Sequence, residues 1–179
     1  MTILCNNAGA NFCVSFDDQT EEMWHTVMNI GLTGAFMGIK VAVPAIRRPG
    51  GGAIIVNMGS LASNRSGGGS LAYGASKARI VGLTTQSAAK PYASDGIRCN
   101  MVSSGHVDTP FIRQDNAHGP NDWLTTIDNP DNYQRRLDAT PLGRLQIPED
   151  IAKAFLFLAS DGASMITRVN LKVDGGAGI

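Results

Sequence analysis

The sequence predicts an α/β fold, a parallel sheet of about four strands with helices on both faces, in a single domain over residues 1–179. Two observations carry this. Short β-prone runs alternate with long helical patterns along the whole chain, and the run Ala53–Asn57 is continuously apolar, as strands buried on both faces are. No internal repeat or low-complexity tail interrupts the alternation.

The elements follow in order. Met1–Cys5 is a β-prone run that ends at Asn6-Asn7-Ala8-Gly9. Thr20 precedes a helical pattern through roughly Ala45, with Glu21 and Glu22 in its first turn, where acids suit the helix dipole. Gly31, Gly34, Gly38 and Ala42 recur there at spacings of three and four and are expected on one face. After a turn at Pro49–Gly52 comes the strand Ala53–Asn57, then a polar, glycine-rich loop to Ser70. A helix is expected over Leu71–Ala89, with Ala75, Ala78 and Gly82 as a second small-residue face and Pro91 ending or kinking it. Ile97–Ser103 reads as the third strand. Residues 104–147 form a long connection with a short helix near Asp131–Asp138. Loops of that length are usually functional or disordered, and a substrate lid is the preferred reading. Pro148 and Glu149 open a helix through Leu158, and Arg168–Asp174 is the last strand.

Composition narrows the function. Lys plus Arg and Asp plus Glu both number 15 in 179 residues, so the electrostatic footprint of a nucleic-acid binder or a polybasic membrane-surface protein is missing. No run approaches the ~18 uninterrupted apolar residues of a membrane span. Cys5, Cys13 and Cys99 cannot all pair and lack metal-site spacing, so a reduced, cytoplasmic protein without a metal is expected. Glycine, 21 of 179, is well above the usual ~7%.

Ligands of open parallel sheets bind outside the carboxyl ends of the strands. That rule nominates Asn6–Gly9, Gly59–Ser63, Ser104–Thr109 and Gly175–Gly178. Tyr73 and Lys77, four apart on one helix, share a face about 6 Å apart along the axis. An adjacent ammonium favours phenolate, which lowers the ~10 reference value of a tyrosine and suits it to proton exchange with a substrate oxygen. Ser60, just past the second strand, is placed to hydrogen-bond that oxygen.

Together, Asn6-Asn7-Ala8-Gly9, Ser60, Tyr73-Gly74-Ala75-Ser76-Lys77, Ile97–Ser103 and Val173-Asp174-Gly175-Gly176 resemble the short-chain dehydrogenase/reductase family, in family order and spacing across essentially the whole chain. The resemblance implies a Rossmann-like sheet and an NAD- or NADP-dependent oxidoreductase interconverting a secondary alcohol and a ketone. By that resemblance Tyr73 is the acid/base and Lys77 lowers its pKa and holds the nicotinamide ribose. Ser60 positions the substrate oxygen. Val107 and Thr109 contact the nicotinamide end, and Asn7, Ala8 and Gly9 lie along the cofactor. It also implies a homo-oligomer, dimer or tetramer.

Departures from the family pattern accompany these matches. The chain begins at what resembles the fourth strand, so at about 30 residues per βαβ unit roughly 80 residues of the family pattern, with the glycine-rich phosphate turn, are expected to be missing. Gly67-Gly68-Gly69-Ser70-Leu71-Ala72 matches G-x-G-x-x-A but reads as a flexible approach to the catalytic helix. Gly31 stands where the family usually has asparagine. Asn29, about 200° around the helix, does not replace it. Ser104 stands where a proline commonly precedes Gly105.

Other residues keep two readings. His106 faces the substrate or is an exposed loop imidazole; His25 and His118 are surface residues. Phe111, Trp123 and Tyr133 line an apolar pocket or anchor the lid. Cys99 is buried filler. The first strand is expected to expose an apolar edge. The competing functional reading is a catalytically silent fragment or an oligomer-forming scaffold, motivated by the absent phosphate-binding part and Gly31. Cofactor-free chemistry on the same fold is disfavoured by Lys77.

Overall fold

The computed structural model describes residues 3–47, 52–65, 69–87, 90–114 and 121–178. Residues 48–51, Gly67, Gly68, Ala88, Ala89 and His118, on which some of these expectations fall, lie outside the described residues.

Four parallel strands pair in sequence order: β1 (Ile3–Asn6), β2 (Ala53–Ser60), β3 (Ile97–Ser104) and β4 (Asn170–Val173). The helices are α1 (Glu21–Met28), α2 (Gly34–Ile46), α3 (Leu71–Ser87), α4 (Lys90–Ala93), α5 (Pro130–Asp138) and α6 (Pro148–Ala159). Thr20 caps α1, its Oγ1 accepting from Met23 N at 3.1 Å. Pro148 opens α6, and the Asp150 carboxylate accepts from Ile147 N at 3.0 Å while pairing with Arg144 at 2.7 Å.

Alternate side chains of the central strands feed two cores, as the pleat dictates. Ile55, Ile97 and Cys99 pack with Ile39, Ala42, Val43 and Ile46 of α2 and with Leu83 of α3. Val56 and Val102 pack on the other face with Ile151, Ala154 and Leu158 of α6. Each such aliphatic side chain stabilises the fold by about 1.5–3 kcal/mol when fully buried. β1 is an edge strand among the described residues, with Ile3 46% exposed and Cys5 exposed, as expected.

Two asparagines tie the layers together. Asn6 Nδ2 donates to Asn57 Oδ1 at 2.8 Å, and Asn57 Nδ2 donates to Thr84 Oγ1 of α3 at 3.0 Å. Asn100 Nδ2 donates to Ile166 O at 2.8 Å while its Oδ1 accepts from Val169 N at 3.1 Å, which fixes the approach to β4. These buried polar groups are satisfied, so they add register at little desolvation cost.

One expectation is corrected in the long helix. A π turn over Asn29–Thr33 separates α1 from α2 and adds a residue to the helical phase. Gly31, Gly38 and Ala42 face inward, but Gly34 is exposed. Ala78 and Gly82 of α3 also point outward, and a Cβ at Gly82 would meet nothing within 4 Å. The continuous Glu21–Ile46 helix, 26 residues long, is apolar and long enough to cross a membrane by length and composition. Here its Val27, Ala35, Ile39, Val43 and Ile46 face the interior.

β2 runs to Ser60 rather than Asn57, and β4 starts only at Asn170 because Arg168 takes a left-handed φ of 66°. The strand ends Ser60 and Ser104 are register partners, as are Ser104 and Val173. The loops that follow the strands therefore gather at one edge.

Candidate active site

α3 presents Tyr73 and Lys77 to that edge. Its start is fixed from outside: Ser70 N donates to Asn11 Oδ1 at 3.0 Å, and Tyr73 N donates to Ser70 Oγ at 3.2 Å. Ser60 is 9% exposed and closes β2; its Oγ accepts from Ala62 N at 3.2 Å, while Ser63 Oγ accepts from Ser60 N at 3.2 Å. This reciprocal cap holds the Ser60 hydroxyl in one place, where it hydrogen-bonds the Tyr73 phenol.

Lys77 is 3% exposed, and burial lowers its pKa from 10.5 to about 8. Its Nζ donates to the Met58 carbonyl at 2.9 Å and stands 5.5 Å from the centre of the Tyr73 ring. The expected depression of the Tyr73 pKa by Lys77 is not what this arrangement produces. Burial raises the phenol above its ordinary value, the Ser60 hydrogen bond opposes that, and the Cys13 thiol adds to it. The lysine's hydrogen bond goes to the main chain of β2 instead.

The structure thus brings Ser60, Tyr73 and Lys77 together. Gly9 joins them: a Cβ there would lie 3.6 Å from Lys77 Nζ, so its bare side faces the ammonium. Asn7 and Ala8 are exposed immediately before it. Val107 bridges to Gln146 and Thr109 Oγ1 donates to Val107 O at 3.4 Å, placing both on the loop that leaves β3. Gly105 opens that loop where a Cβ would come within 2.9 Å of Asp174 Cα, so only glycine lets the two loops meet. Asn7 and Ala8 are exposed and Gly9 is half-buried beside the buried lysine, so this strand end leaves room for a ligand.

His106 is half-buried rather than an exposed loop imidazole, with Nδ1 lacking any hydrogen-bond partner. Burial, then the charge of Arg136, lowers its pKa from 6.5 to about 4. The Phe111 ring packs at a tilt against Tyr73, 5.8 Å between centres, whereas Trp123 and Tyr133 are 52% and 40% exposed. Cys99 is fully buried with its thiol pushed up to about 12, and His25 is exposed.

At Gly31 a Cβ would fall 2.6 Å from the Oγ of Ser76, a buried hydroxyl without a partner. A side chain at this position would require the Ser76 hydroxyl to move.

Sequence reasoning missed Asn11, Cys13 and Arg136. Asn11 Nδ2 approaches Cys13 Sγ at 2.8 Å while its Oδ1 holds Ser70, so the loop after β1 clamps the start of α3. The rule that sites lie beyond strand ends pointed to that loop; extending it past Gly9 would have reached both residues. Nothing local marked Arg136, which comes from α5 and depends on how the 104–147 connection folds back.

Comparison with known proteins gives the family. Residues 1–178 match the family model described as "Enoyl-(Acyl carrier protein) reductase". The 3-oxoacyl-[acyl-carrier-protein] reductase FabG of Chlamydia trachomatis is 35% identical over 174 residues, 97% of this chain and 64% of that protein. The 2,5-dichloro-2,5-cyclohexadiene-1,4-diol dehydrogenase LinX of Sphingobium indicum is 35% identical over 98% of this chain and 64% of its own length. The crystal structure of 3-ketoacyl-(acyl-carrier-protein) reductase from Brucella melitensis complexed with NADH superposes with a TM-score of 0.85 at 27% identity, covering 100% of this chain and 68% of that one. The chain belongs to the short-chain dehydrogenase/reductase family of oxidoreductases, and its sheet is Rossmann-like. It spans about 64% of the length of these curated relatives.

Proposed function

We propose that this chain carries the acid/base half of an NAD- or NADP-dependent oxidoreductase that interconverts a secondary alcohol and a ketone. The single observation that carries the reading is the meeting of Ser60, Tyr73 and Lys77 at the strand-end edge. A nicotinamide cofactor, when bound, supplies or accepts the hydride. Asn7, Ala8, Gly9, Lys77, Val107 and Thr109 would hold its nicotinamide end.

The chain's own residues do the rest. The Ser60 hydroxyl, locked by its cap, orients the substrate oxygen. The raised Tyr73 pKa keeps the phenol protonated, ready to give its proton to a carbonyl during reduction. In the oxidative direction the phenolate must form, and the Ser60 hydrogen bond favours it. Lys77, titrating near 8, adds positive charge beside that phenolate below that pH. The Phe111 ring, 5.8 Å from that of Tyr73, covers one side of the phenol.

The outward stripe Ile30, Met37 and Val41 on the long helix, 38%, 46% and 72% exposed, supports assembly into a homo-oligomer. The functional test is hydride transfer by the purified chain with a panel of secondary alcohols and either NAD or NADP. Turnover with one of them supports the reading. Absence of both turnover and NADH or NADPH binding by calorimetry favours the silent scaffold.

A further inference from the structure

The segment after β4 is folded onto the turn that carries Ser60. That turn is closed by its own hydrogen bonds: Ser60 Oγ accepts from Ala62 N, Ser63 Oγ accepts from Ser60 N, and Leu61 O accepts from Asn64 N and Arg65 N, both at 3.1 Å. The Arg65 side chain leaves the turn and donates from Nη1 to the Ala177 carbonyl. Beside it, a Cβ at Gly178 would lie 2.9 Å from Leu61 Cδ2, so the segment also rests on the Leu61 side chain. Ser60, Arg65, Ser103, Lys172 and Gly178 line one cavity of about 10 Å³. A space of that size holds a water at most, so these groups support Ser60 rather than share a substrate with it.

The segment that receives Arg65 has little freedom of its own. Ala177 is 3% exposed, and its N–H donates to Asp174 O at 3.1 Å. Gly176 N donates to Asp174 Oδ1 at 3.0 Å, and Leu142 N donates to Gly175 O at 3.1 Å. Gly175 and Gly176 hold left-handed φ values of 62° and 87°, and a Cβ on either would press on Thr140 or Pro141. Lys172 Nζ reaches Gly178 O at 3.5 Å. Gly175–Gly178, nominated as a ligand segment by its place beyond a strand end, thus directs these groups to the protein. A charged donor makes the stronger kind of hydrogen bond, so Arg65 is a firm tie from the turn to a fixed base.

We propose that Arg65 is a positioning residue: by fastening the Ser60–Arg65 turn to Asp174–Gly178, it fixes where the Ser60 hydroxyl points. This role rests on the oxidoreductase reading for its meaning and extends that site to the segment after β4. Arg65 acts through Ser60. Without the tie the turn keeps its internal hydrogen bonds but loses its placement, and the bond between Ser60 and the Tyr73 phenol weakens.

The test is tyrosinate absorbance of the full chain and its variants, each measured against its own Tyr73→Phe background. The Tyr73 phenol of Arg65→Gln should titrate at higher pH than in wild type, and Arg65→Lys should restore part of the difference. Added to Ser60→Ala, the Arg65→Gln substitution should move the midpoint no further. Amide exchange at Ala62 should quicken about fivefold or more in Arg65→Gln while exchange at Ile55 stays unchanged. An unmoved phenol midpoint in folded Arg65→Gln overturns the proposal, whatever its thermal stability. A shift that persists undiminished in Ser60→Ala overturns it too. Gly178→Ala, which drives a methyl against Leu61, gives a second reading if Arg65→Gln does not fold. Its midpoint should also rise, and an unmoved one overturns the proposal. The titration needs no cofactor, so the two claims separate. A raised midpoint in a chain that transfers no hydride leaves the placement of Ser60 by Arg65 standing and sinks the oxidoreductase reading. Turnover with an unmoved midpoint does the reverse.

Discussion

Lys77 donates from Nζ to the carbonyl of Met58 at 2.9 Å, so the buried amine of α3 is anchored to the strand that ends in Ser60. That bond joins the two elements that carry Ser60 and Tyr73. It also holds Nζ 5.5 Å from the centre of the Tyr73 ring.

The titration of Lys77 has a defined sign. Below about pH 8 the amine is protonated in both folded and unfolded chains, and its desolvation cost is fully present. Between about 8 and the ordinary 10.5 the unfolded chain holds a proton that the folded chain has lost, so stability rises with pH by up to about 1.4 kcal/mol per unit. Urea denaturation at pH 7.5 and 10 should show the wild type gaining on Lys77→Met over that window. A constant difference would refute the shift.

Ser60→Ala removes the hydrogen bond that opposes burial at Tyr73. The phenol should titrate at higher pH in this variant. Tyrosinate absorbance, with Tyr73→Phe subtracted to remove Tyr92 and Tyr133, reads it directly. An unchanged or lower midpoint would show that Ser60 does not reach the phenol.

Gly31→Ala drives a methyl to 2.6 Å from Ser76 Oγ and should destabilise the fold by about 1–3 kcal/mol. Ser76→Ala alone should be near neutral, because that hydroxyl is buried without a partner. Combined, the substitutions should cost less than Gly31→Ala alone; additive costs by denaturant unfolding would contradict the contact.

Asn11→Ala leaves Ser70 N buried without its acceptor, at a cost of about 1–3 kcal/mol. Amide exchange at Ser70 and Tyr73 should accelerate more than exchange at Ile55. Equal acceleration at all three would point to global loosening rather than release of the helix start.

The alternation of strands and helices was legible because each strand is bounded by turn residues and helices carry local start signals, such as Thr20 and Pro148; Pro91, expected to end or kink the helix from Leu71, lies inside α4. The pairing of Ser60 with Tyr73 and Lys77 was legible because two of the three share a helix and the third ends a strand. What remained hidden is long-range or depends on backbone detail. The π turn that exposes Gly34 leaves no mark in apolar periodicity. Lys77 turns to Met58 because a main-chain carbonyl is available, and carbonyls carry no residue signature. Phe111 meets Tyr73 while Trp123 and Tyr133 stay exposed, which only the folding of the 104–147 connection decides.

The most direct test of the acid/base assignment is the rate of hydride transfer from a turned-over alcohol in wild type and Tyr73→Phe, with folding verified by thermal unfolding. The expected result is a rate loss of about 10²-fold or more in Tyr73→Phe with the fold intact. Retention of the wild-type rate in the folded variant would contradict it.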